Sequence, residues 1–171
     1  MIYLLHILSI PLAIIYSQIS EWVIHKYILH GLGKKKGSFW SFHWHAHHKS
    51  CRKNKNRDDD YLDGTQGPPL REKLGLFFLI AIHSPLAYYT PLFFLTLIVM
   101  AIRYYRIHRY AHLQPIWGKI FLRWHYDHHM GKTQDANWGV TTDWVDRLMK
   151  TRVCYEEKDG PATKKARQKK F

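Results

Sequence analysis

Histidine dominates the chemistry available to this chain. Of its thirteen histidines, eleven fall into four groups: His25 and His30; His43, His45, His47 and His48; His108 and His112; and His125, His128 and His129. Imidazole serves iron, zinc, copper and nickel alike, so the pattern points to a metal site without naming the metal. Residues three or four apart share a helix face, which lets His108 converge with His112, and His125 with His128 and His129. His25 and His30 are five apart, about 140° around an ideal helix, so they should reach different metals or straddle a distorted helix end. In the second group His43 and His47 are four apart and His45 and His48 three apart. All four cannot face one way on a single helix, which places one of His43 and His45 outside the ligand set. His6 and His83 stand alone. The ordinary reading for each is a hydrogen-bonded structural residue, with His83 also a candidate for lining a substrate cavity.

Carboxylates and amides near such clusters orient the ligating rings. Glu21 lies four residues before His25, Asp127 sits inside the last cluster, and Asp135, Asn137, Asp143 and Asp146 follow it. These are the candidates for that role, Glu21 first among them. Asp58, Asp59 and Asp60 are successive and read as solvent-facing, with no chemical role assigned to them or to Asp63. Cys51 and Cys154 lack metal-finger spacing and read as free thiols.

The elements that position these residues are expected to be membrane helices. No charged residue occurs before Glu21, and 1–20 is rich enough in Ile and Leu to cross a hydrocarbon core of about 30 Å. A signal peptide is the rival reading, but the stretch has neither a basic start nor a small-residue cleavage site. The second apolar block, 74–102, is uncharged over twenty-nine residues and holds Pro85 and Pro91 near its middle. As one helix it would leave the early and late histidines on opposite sides of the membrane. A break at the prolines gives a hairpin that enters and returns, and this is the expected form. Lys26, Lys34, Lys35, Lys36, Arg52, Lys53, Lys55, Arg57, Arg71 and Lys73 precede the block, and Arg103, Arg106 and Arg109 follow it. Basic residues at both ends place both ends in the cytoplasm.

Helical patterns are expected at 21–32, ending at Gly31 and Gly33, at 103–113, and at 119–130 after Pro115. The domain reading is therefore a transmembrane helix at 1–20, a helical domain at 21–155 that includes the hairpin 74–102, and a basic disordered tail at 156–171. A formal net charge of +13 invites a nucleic-acid reading, but no recognition module is present, and anionic lipid headgroups account for juxtamembrane Lys and Arg. No flavin, haem or nicotinamide motif occurs either.

Five segments together carry a resemblance: HKYILH at 25–30, HWHAHHK at 43–49, HRYAH at 108–112, HYDHH at 125–129 and NWGVTTDWVDRLMKT at 137–151. Over roughly residues 20 to 152 the chain resembles the fatty acid hydroxylase and sterol desaturase superfamily, which also includes carotene hydroxylases. The resemblance implies an all-α integral membrane protein whose cytoplasmic, histidine-rich helical cap binds two iron ions, with zinc as a substitute in purified material. It implies oxidation of a C–H bond of a lipid chain by dioxygen and two electrons, with the electrons supplied by an external donor such as a ferredoxin or cytochrome. Carried over by motif, the ligands are His25, His30, His47, His48, His108, His112, His125, His128 and His129, with one more from His43 or His45. The second group departs from the usual HxxHH, because Trp44 stands where its first histidine is expected. Lys150 replaces a Gly common near the end of the last motif. Two readings of other classes are a non-catalytic zinc-binding membrane protein and a silent scaffold of lipid synthesis.

Overall fold

A computed structural model describes residues 2–155, with side chains from residue 7 onward; the tail at 156–171 and the His6 side chain lie outside the described residues. Among them there are helices and no strands. Helix α1, Ile2–Val23, does not stop at residue 20. It runs without a break into a π-helical segment, Ile24–Leu32, that carries His25 and His30. Gly33 follows it, at a position where a Cβ would collide with the carbonyls of Leu29 and Trp40. Among the described residues one helix, Ile7–Leu32, is long and apolar enough to cross a membrane.

A second π-helical segment, His43–His48, leads into α2, Lys49–Lys53, and then α3, Asp60–Asp63. The apolar block is broken, as its prolines predict. Helix α4, Gly67–Ile82, ends at His83; a short α5, Leu86–Tyr89, follows Pro85; and α6, Pro91–Leu113, begins at Pro91, where the missing N–H costs nothing. Helices α4 and α6 run antiparallel. At one end Glu72 bonds His108, while at the other Phe93 packs on Tyr16 of α1, whose hydroxyl bonds His83 Nε2 at 2.8 Å. The remaining helices are α7, Pro115–Phe121, α8, Arg123–Met130, and α9, Trp144–Leu148.

Burial is inverted relative to a water-soluble bundle. Leu12, Phe77, Phe78, Leu95 and Val99 on the long helices are 55–72% exposed, while the apolar core of the cap is small, with Trp22, Trp138 and Val145 at its centre. What fills the interior of the cap instead is histidine.

Candidate metal centre

Ten histidines, each no more than 3% exposed, gather between the ends of the long helices and the α8–α9 region. The ligand nitrogens of His25, His30, His43, His48 and His128 lie within 4.8 Å of one another, as do those of His47, His108, His112 and His129. His125 completes the second group, its Nε2 3.1 Å from that of His112. The two groups adjoin, with the rings of His48 and His129 4.2 Å apart between centroids.

Helix winding explains the partition. Residues five apart diverge on an α-helix, but i→i+5 hydrogen bonding brings them onto one face. Both π-helical segments use this, turning His25 and His30, and likewise His43 and His48, into same-face pairs within group one. On the α-helices the ordinary four-residue spacing holds. His108 with His112 and His125 with His129 serve group two, while His128 points into group one, so the three histidines of α8 do not converge on one point. Of the two candidates in the second sequence group, His43 lies inside the centre. His45 is exposed and its Nε2 is 3.0 Å from the Lys34 carbonyl.

The protons of several rings are fixed from behind. Nδ1–H of His25 donates to the Trp138 carbonyl at 2.6 Å, that of His128 to Ala136 at 2.7 Å, and that of His112 to Asn56 at 3.0 Å. Nδ1–H of His47 donates to Asp58 at 2.7 Å and that of His108 to Glu72 at 2.6 Å. A neutral imidazole with its proton on Nδ1 presents a lone pair at Nε2. Burial, reinforced by the neighbouring rings, keeps His43, His47, His48, His112, His125 and His129 neutral by holding their pKa well below the usual histidine range. Burial lowers His128 to about 3.

Ring nitrogens therefore face one another across a buried interior. The Nε2 atoms of His30, His48 and His128 sit 3.1–3.2 Å apart in a triangle, and the His128 proton lies on the far nitrogen, at the Ala136 carbonyl. In group two, Nε2 of His47, His108 and His129 is buried with no partner. Such groups cost several kcal/mol in order of magnitude unless a cation accepts them. The donor set fits a metal cofactor.

A family model for fatty acid hydroxylases matches residues 10–151. The chain belongs to the fatty acid hydroxylase family. Nothing among curated proteins or solved structures matches it. Family membership and the buried histidine groups agree on a metal-dependent lipid hydroxylase or desaturase as the class of protein.

In this family member the residues expected to hold the imidazoles act at one remove. Glu21 accepts from the backbone N–H of Val140 and Thr141 and from the Thr141 hydroxyl. Asp146 accepts from the N–H of Trp138 at 2.8 Å and of Gly139 at 2.7 Å, from Trp22 Nε1 and from the Thr151 hydroxyl. Together they fix the 138–141 segment, whose Trp138 carbonyl takes the His25 proton. Asp127 pairs with Arg123 and Arg152, Asn137 bonds the backbone of Val153, and Asp143 pairs with Arg147 and Arg152. Asp135 pairs with Lys34 and stands 3.5 Å from His30 Nδ1.

The carboxylates that hydrogen-bond imidazoles directly are Asp58 and Glu72, and sequence reasoning missed both. Asp58, read as solvent-facing, is fully buried, because the turn at Lys55 and Asn56, both at positive φ, directs the chain back against α6. Burial pushes its pKa up, and hydrogen bonds from Ser50 and the Asp60 N–H oppose that. Glu72 had a signal, being the sole acid between Asp63 and Asp127. Cys51, a buried free thiol, rests 3.3 Å from His112 Nδ1, and Cys154 is free and exposed. Among the aromatic residues of the long helices and α7, Tyr104 stacks on His108, Tyr105 lies against Tyr61, Trp117 packs on Tyr110 and Phe121, and Tyr88 and Tyr89 are exposed. A cleft lined by Lys36, Trp44, Lys49, Arg52 and Gln134 opens from the polar surface onto His48.

Proposed function

We propose that this protein is a membrane-bound non-haem di-iron oxidoreductase that hydroxylates, or desaturates, a lipid chain such as a fatty acyl, sterol or carotenoid chain. The observation that carries the reading is the pair of adjoining, buried imidazole groups whose free lone pairs converge. In each turnover a C–H bond becomes C–OH, with dioxygen, two electrons and two protons consumed and one water released. In the desaturating variant two hydrogens leave vicinal carbons and two waters form. The bound metals supply the activation of dioxygen. The chain's own residues bury ten imidazoles and hold the Nδ1 protons of five of them at Asp58, Glu72 and three backbone carbonyls. The electrons come from a separate donor such as a ferredoxin or cytochrome.

The apolar helices supply the membrane part. The uncharged arm of α4, Leu74–Ile82, is nine residues long, and that of α6, Pro91–Ile102, is twelve. At 1.5 Å per residue these arms reach about 13 and 18 Å, short of a core of about 30 Å. They enter and return beside α1, so the basic segments before and after them stay on the cytoplasmic side with the metal centre. The lipid chain approaches from that apolar side.

The test is expression in a host of defined lipid content, comparing wild type with His128→Ala by lipid mass spectrometry with and without oxygen. A product that gains one oxygen or loses two hydrogens, present only with wild type and oxygen, supports the reading. Identical lipid profiles with a competent electron donor present overturn it in favour of a zinc-binding or scaffolding protein.

A further inference from the structure

The two histidine groups are equal in donor number but not in what stands behind the donors. Group two is backed by two buried carboxylates: Asp58 accepts the proton of His47 at 2.7 Å, and Glu72 accepts that of His108 at 2.6 Å. Each carboxylate is anchored in turn, Glu72 by the Tyr61 hydroxyl at 2.7 Å and Asp58 by the Ser50 hydroxyl at 3.1 Å. Group one is backed by neutral groups. His25 and His128 donate to the carbonyls of Trp138 and Ala136, and His48 Nδ1 meets the side-chain amide of Gln134 at 2.6 Å. The nearest carboxylate there, Asp135, is half-exposed and tied to Lys34 at 2.6 Å, which cancels its charge.

Two buried carboxylates balance a divalent ion held by neutral imidazoles, whereas the same ion in group one keeps its full charge in a desolvated site. Carboxylate backing also makes an imidazole a stronger donor, and an uncompensated buried charge is costly. Access differs in the same sense. His48 of group one lines the cleft at the polar surface, whereas no histidine of group two does.

We infer that the two groups are unequal metal positions: Asp58 and Glu72 make group two the tight, charge-compensated position that fills first, and group one is the weaker, exchangeable one. This rests on the di-metal reading of the centre, and the experiment separates the two. Metal-free full-length protein in detergent is titrated with Co2+, followed by its visible absorption, and with Fe2+ under anaerobic conditions. Two steps are expected, the first at least about 10-fold tighter than the second. His43→Ala should lose the weak step and keep the tight one. Glu72→Gln should weaken the tight step by roughly 10–100-fold, the range for losing an outer partner of a ligating histidine, and leave the other unchanged. Two equivalents of equal affinity in wild type, or loss of the tight step in His43→Ala, overturn the inference while leaving the di-metal centre standing. No binding by wild type overturns the centre itself. Should Glu72→Gln fail to fold, the wild-type and His43→Ala isotherms decide the question between them.

Discussion

Replacing Asp146 by Ala should damage fold and metal centre together, and by an amount the structure allows to be worked out. Its carboxylate is fully buried and accepts from four donors: the N–H of Trp138 and Gly139, the Trp22 indole and the Thr151 hydroxyl. Leaving a buried donor unsatisfied costs about 1–3 kcal/mol. Taking the low end for each, because the four share one acceptor and partly relax, gives a loss of about 4 kcal/mol. For a chain of this size that corresponds to a fall in Tm of roughly 8–16 °C. The loss has a direction within the site. Trp138 places the carbonyl that takes the His25 proton, so group one should lose metal affinity, by about 10-fold or more, while group two holds. Thermal unfolding in detergent and metal retained after dialysis against a mild chelator measure the two effects. Asp146→Asn, which keeps one acceptor oxygen, should fall between. A Tm within a degree or two of wild type, or equal metal loss from both groups, would refute the reasoning that this loop is held by Asp146 and in turn holds His25.

Acid should destabilise the metal-free protein. The buried histidines of the cap, His128 at about 3 among them, titrate below an unfolded histidine near 6.5, so the unfolded chain takes up protons that the folded one refuses. Stability present above pH 6.5 is therefore lost as pH falls, and Tm should drop steadily from pH 7 to pH 5; a flat profile contradicts buried, neutral rings. His45→Ala should leave metal content unchanged and shift stability by less than about 0.5 kcal/mol, since His45 is exposed, whereas His43→Ala should lose one metal per chain. Gly33→Ala should cost about 1–3 kcal/mol by forcing a Cβ against the Leu29 and Trp40 carbonyls, read as a lower Tm. With Cys154 replaced by Ser and Cys51 buried, Lys35→Cys and Arg106→Cys should react with a membrane-impermeant thiol reagent from the same side; reaction from opposite sides refutes the hairpin.

Much of the fold was legible because its signals are local. Pro85 and Pro91 forbid a continuous helix, and the helix ends at His83 and restarts at Pro91. His108 and His112, and His125 and His129, are legible as same-face pairs because the α-helical period puts them there. The pairs His25 with His30 and His43 with His48 were not, since their five-residue spacing converges only on a π-helix. The same winding settles His43 against His45, and it makes room for Trp44 where a shorter spacing would place a ligand. The partition of His128 from its neighbours depends on how α8 lies between the groups, which no local spacing encodes. Asp58 and Glu72 lie eleven and thirty-six residues from the rings they serve, so only the packing of α4 and the turn after α2 against α6 brings them there. Proximity in sequence favoured Glu21 and the acids after His125; of these Glu21 and Asp146 hold the loop behind His25, while Asp127, Asp135 and Asp143 pair with basic side chains.

The central claim is that ten histidines hold two metal ions side by side. Iron and zinc per chain, measured on protein purified from iron-supplied cells together with X-ray absorption at the metal edge, test it most directly. The account predicts two metals per chain in an environment of imidazole nitrogen at about 2.0–2.2 Å, falling to one in His43→Ala. Wild-type protein that is folded yet carries no stoichiometric metal, or a single ion bound through sulfur or carboxylate oxygen, would contradict it.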